Sequence, residues 1–161
     1  MKIQQIKIEE PKLEIQERTE IFNDKIILIL ALILILVFIV NLLRKLKRKK
    51  RTEKKLKDKV KSDWLEILEI SKKEGEIYKK MAIIEADKLL DNTLQRMGTP
   101  GSTMAQRLKY ITEKYPRLKT VWEAHKVRNL ISHESNFELY KKTASKCIYL
   151  YEDAFKVLGI L

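Results

Sequence analysis

Residues 26–43 read IILILALILILVFIVNLL, and the reading of these eighteen residues decides the architecture. They carry no charge and one polar side chain, Asn41. At a helical rise of about 1.5 Å per residue the run spans about 27 Å, close to the hydrocarbon thickness of a bilayer. A core helix of a soluble domain keeps a polar stripe, whereas this run is apolar on every side and ends directly in dense charge at Arg44. A cleaved signal peptide begins near the N-terminus behind a basic segment and ends at small residues. This run begins late, follows an acidic segment and has no such site after it. Residues 26–43 are therefore expected to form a single transmembrane helix.

The flanks set its expected orientation. The chain has 161 residues and a formal net charge of +12, but the charge is local. Residues 1–25 hold five Lys/Arg against six Asp/Glu, residues 44–61 twelve against two, and residues 62–161 seventeen against fourteen. The basic excess directly after the apolar run places the C-terminal part in the cytoplasm and the N-terminus outside, in the plasma (inner) membrane of the cell. Residues 44–51 then lie at headgroup level, where they meet anionic lipid. Within 44–61 the apolar residues Leu46, Leu56 and Val60 are sparse, so this stretch reads as a solvated spacer that packs on nothing. Residues 1–25 are polar, with short alternating pieces around Pro11 and no clear pairing strand, and read as a mostly extended or disordered extracytoplasmic tail.

From Ser62 the pattern becomes that of amphipathic helices. Trp64, Leu65, Ile67, Leu68 and Ile70 read as a short extra helix, and Ser71 with Glu74 as the capping box of the next. Ile77, Met81, Ile83, Ile84, Ala86, Leu90, Leu94 and Met97 form an apolar stripe that stops at Gly98. Thr103 with Gln106 fits the cap of a further helix, which must end before Pro116. Another begins near Arg117. Ser135 with Glu138 fits a last capping box, opening a helix over 136–158. The expected fold is all-α: the transmembrane helix, then over 62–161 an up-and-down-like four-helix bundle with the short helix in front.

The same region holds the chain's densest chemistry, His125-Lys-Val-Arg128-Asn129-Leu-Ile-Ser132-His133-Glu134. His125 shares a helical face with Arg128 or Asn129 and with Ser132, while Arg128 and His133, five apart, point about 140° from one another on an unbroken helix. For both to act on one atom the helix must end or bend before His133, or the two must meet across chains. The capping box at Ser135 favours an ending. The helix is apolar on its other sides, so these polar groups must satisfy one another, a second chain or a ligand. The lone Cys147 sits on an apolar face and reads as a small core hydrophobe. One cysteine and two histidines give no zinc site, the four glycines form no phosphate loop, and no cofactor is expected.

These residues carry a resemblance. Residues 74–161 are similar to the HEPN family (higher eukaryotes and prokaryotes nucleotide-binding), whose members are all-α bundles. The matching pieces are Ala82-Ile-Ile-Glu-Ala-Asp87 with Leu89 and Leu90, Gly98 to Gly101-Ser-Thr-Met104, His125 to Glu134, and the helix from Ala144 to Gly159. Arg128-Asn129-Leu-Ile-Ser-His133 fits the family's signature of Arg, a polar residue that is often Asn, three to five others and then His. The resemblance implies a metal-independent endoribonuclease site, often shared by two protomers. In it His133 would be general base on a ribose 2′-hydroxyl or general acid on the leaving oxygen, Arg128 would hold the phosphate, and Asn129 would orient the histidine or the substrate. His125 and Ser132 would form a secondary polar cluster. The expected partners are the membrane, a second copy through the helical domain, RNA, and a partner protein. The competing expectation is a non-catalytic, membrane-anchored interaction or dimerisation module.

Overall fold

The computed structural model describes residues 10–161, and among them there is helix and no strand. Of the two alternating pieces, Ile6-Lys7-Ile8-Glu9 lies outside the described residues and Leu13-Glu14-Ile15-Gln16 falls within α1. The elements are α1 (Glu10–Lys72), α2 (Glu76–Arg96), α3 (Met104–Lys114), a 3₁₀ turn (Pro116–Thr120), α4 (Val121–His133) and α5 (Lys141–Val157). The chain divides into two compact units, residues 1–51 and residues 52–161, and the division falls inside α1.

The extended tail expected up to residue 25 is helical from Glu10 onward. Pro11 falls in the first turn, where its missing N–H would have had no helical partner in any case. From there to Glu74 the sequence contains neither glycine nor proline, so nothing in the backbone ends the helix. In the first unit, the large apolar side chains of residues 26–43 other than Ala31 are all exposed, from 36% at Val40 to 70% at Leu34.

In the second unit, Val60, Trp64 and Ile67 of α1 are buried and Leu56 packs beside them. Their spacings of four, four and three place them on one helical face. This corrects two expectations. The residues before Ser62 do not stand clear of the domain, and the short extra helix is the end of α1. Ser71 caps nothing: its hydroxyl donates to the Leu68 carbonyl within the helix. The break comes at Gly75, whose φ of 106° an L side chain rarely adopts, and α2 starts without a side-chain cap.

The core is formed where α2, α4 and α5 pack on one another, centred on Ile83, Leu90, Leu94, Val121, Tyr151 and Phe155. The Trp64 ring lies 5.3 Å from that of Phe155, centroid to centroid. Leu108 and Ile111 of α3 close one end. Local signals hold where the chain turns. Thr99 N donates to the Leu94 carbonyl and Gly98 N to that of Gln95, a Schellman closure of α2 with Gly98 at φ 77°. The Thr103 hydroxyl caps α3 by accepting from Gln106 N, and α3 ends before Pro116.

The capping box expected at Ser135 does not form. Residues 134–140 are non-helical and α5 begins at Lys141. Two contacts to α2 hold this segment open: Leu139 N donates to the Glu76 carboxylate at 2.9 Å, and Lys80 Nζ donates to the Phe137 carbonyl. Leu139 itself is 6% exposed. These contacts and the burial of Leu139 outweigh a cap that typically contributes about 1 kcal/mol.

Candidate functional site

The candidate residues lie on α4, and the structure divides them. His125 faces inward, 6% exposed, with Nδ1 2.8 Å from Oδ1 of Asp87 on α2. The carboxylate oxygen accepts, so His125 donates to it through Nδ1. The Tyr151 hydroxyl, from α5, donates to the same oxygen at 3.0 Å. Arg128 brings Nε to 3.2 Å from Asp87 Oδ2 as an ion pair, although that N–H makes no hydrogen bond. Its Nη1 donates to Asn129 Oδ1 at 3.1 Å. Three helices thus converge on one carboxylate that is 2% exposed.

Asp87 and Tyr151 are not among the residues expected from the sequence, and the partners of the buried polar groups are supplied by other helices of the same chain. A signal was present. Asp87 follows Ile83 by four and precedes Leu90 by three, so an acid stands in register with the apolar stripe of α2. A charge in that position needs a buried counter-group. Burial, then the adjacent negative charge of Asp87, push the Tyr151 phenol far above its ordinary range, so it remains a donor. Burial also raises the neighbouring Cys147 thiol to about 11, which fits a core residue and not a nucleophile.

Ser132 and His133 are exposed, and neither side chain makes a hydrogen bond or ion pair with the described residues. The helix does not end or bend before His133, as the expected ending required. It runs through it, and Glu134 is the first extended residue. Arg128 and His133 therefore keep the separation of about 140° that an unbroken helix imposes. Within one chain they do not face a common atom. Two cavities of the second unit lie elsewhere. One of about 230 Å³ is lined by Ser71, Lys79, Ser145, Ile148, Tyr149 and Glu152. One of about 240 Å³ is lined by Asp63, Glu66, Ile70, Glu85, Lys88 and Asn92. Among the described residues no three His, Cys, Asp or Glu side chains gather as a metal site would need.

The buried group can hold α2, α4 and α5 in one register, because both hydrogen bonds to Asp87 cross between helices. For reaction chemistry it lacks access: Asp87, His125 and Tyr151 are all nearly or fully covered. Arg128 is the exception, with a third of its side chain open to solvent. Set against known proteins, the chain matches no family model, no curated protein and no solved structure.

Proposed function

We propose that this chain is a single-pass membrane protein whose C-terminal unit, an up-and-down HEPN-like bundle, serves as a non-catalytic interaction or dimerisation module on the cytoplasmic face of the plasma membrane. The observation that carries the membrane reading is the exposure of the large apolar side chains of residues 26–43 on all sides of α1. Leaving that apolar surface in water costs about 25 cal/mol per Å², so a lipid environment is the state that stabilises it. The basic residues that follow support a cytoplasmic C-terminus. The absence of catalysis is supported by Arg128 being engaged by Asp87 while His133 projects in another direction. The test is alkaline carbonate extraction of native membranes, followed by protease treatment of sealed vesicles of each orientation. The chain should stay in the membrane pellet, and the second unit should be cut only where the cytoplasmic face is outward. Release by carbonate would overturn the membrane reading.

One observation favours the second reading, a metal-independent endoribonuclease. His133 is exposed and Arg128 is partly so, which leaves both open to a second copy. A site shared by two chains predicts complementation. In a chelator-treated cleavage assay with full-length protein, His133→Ala and Arg128→Ala would each be inactive alone. Mixed dimers would regain one site of two and give cyclic phosphate ends. No cleavage by the wild-type dimer removes this reading and leaves the interaction module.

A further inference from the structure

The membrane reading leaves open how the cations after Leu43 are arranged. Arg44, Lys45, Lys47, Arg48, Lys49, Lys50 and Arg51 fall within eight residues that contain no acid, and all eight are exposed on continuous helix. At about 100° per residue the seven cations surround the helix, and the widest gap between neighbours is about 100°, filled by Leu46 alone. A helix that lies flat in the interface needs a broad apolar face opposite its charges, and this stretch has none. A stretch that packs on protein needs an apolar stripe, and that stripe begins only at Leu56.

We infer that residues 44–51 form a closed cationic collar whose ligand is a shell of anionic phospholipid headgroups drawn to the helix from every side. The inference rests on the transmembrane reading above and deepens it. The collar starts one residue past the apolar run, at the depth where lipid phosphates lie. Guanidinium groups bind phosphate oxygens bidentately and ammonium groups bind them as point charges; at about 100° per residue the three arginines fall within about 60° on one side and the four lysines take up the rest of the circumference. Single-stranded RNA would meet the same charges, but stacking platforms for its bases are absent: residues 44–51 include no aromatic side chain.

The experiment uses the full chain in vesicles of mixed phosphatidylglycerol and phosphatidylcholine, with trace spin-labelled lipid of either headgroup reporting which is held at the protein surface. Two triple variants remove different sectors of the collar, centred about 120° apart: Arg44→Gln, Lys47→Gln and Arg51→Gln in one, Lys45→Gln, Arg48→Gln and Lys49→Gln in the other. Glutamine keeps the helix. The wild-type chain should hold the anionic probe preferentially. Both variants should lose the same share of that preference, on the order of a hundredfold in the shell's combined association constant, at roughly fivefold per cation. Loss in one variant with retention in the other would replace the collar by a one-sided site. An anchored wild-type chain with no headgroup preference overturns the inference and leaves the membrane reading standing. Saturable binding of a single-stranded RNA probe through the collar, without headgroup preference, overturns it in favour of nucleic acid. A chain that does not enter the vesicles at all overturns both.

Discussion

Asp87 brings a negative charge into the centre of the second unit, and its surroundings show how that charge is kept there. Oδ1 accepts from His125 and Tyr151, and Oδ2 faces Arg128. An Asp87→Asn substitution keeps the shape and, with its oxygen toward His125 and Tyr151, keeps two of the three contacts. The amide nitrogen then confronts Arg128 Nε, donor against donor, and leaves the guanidinium without a counter-charge. The expected loss is about 3 kcal/mol, as for a buried pair deprived of one member. Because the loss arises from Arg128, adding Arg128→Met should restore part of it, and the double variant should unfold at higher urea than Asp87→Asn alone. Additive losses in the double-mutant cycle would mean that Arg128 contributes packing and not charge balance.

At the scale of elements, the segment between α4 and α5 is held by groups far away in sequence. Leu139 donates to Glu76 across 63 residues. The hydrogen bond from Lys80, then that from the Leu139 amide, hold the Glu76 carboxyl below its ordinary 4.5. A carboxyl with a depressed folded pKa stabilises fully above its unfolded value. As pH falls, the unfolded chain takes up the proton first, and the stabilisation is lost as pH passes through the lower folded value. In the folded protein the Leu139 amide resonance should therefore titrate with a midpoint below 4.5 and be flat over the same range in Glu76→Gln. An identical titration in both proteins would separate the segment from Glu76. The same contrast explains what was legible in the sequence. Gly98, Thr103 and Pro116 mark true helix ends, because their partners lie within five residues. Ser71 and Ser135 each fit a cap locally and form none, because the deciding facts are a break at Gly75 and contacts from α2. Arg128 and His133 were legible as chemistry, but Asp87, the residue that organises Arg128, shows only as an acid out of place in an apolar stripe.

At the scale of the whole molecule, composition and packing place the beginning of the C-terminal domain differently. Charge density changes at Ser62, but the compact unit begins at Thr52, and Val60 is 2% exposed. Composition records what water sees. A helix that is charged on three sides and apolar on the fourth reads as solvated, although Leu56 and Val60 continue the same face as Trp64 and Ile67. A fragment that starts at residue 62 loses the buried valine, the contact of Leu56 and the helical turns that hold Trp64 in place. Burial of a valine contributes about 1.5 kcal/mol and the vacated space adds to the loss, so the fragment 62–161 should be about 2 to 3 kcal/mol less stable than 52–161. With a urea m-value near 2 kcal/mol/M for a domain of this size, the midpoint should fall by roughly 1 M. Val60→Ala in the longer fragment should reproduce about half of that shift, which separates the side chain from the loss of helix length. Equal midpoints for the two fragments would place the start of the folding unit at residue 62 and make the packing of Val60 energetically silent.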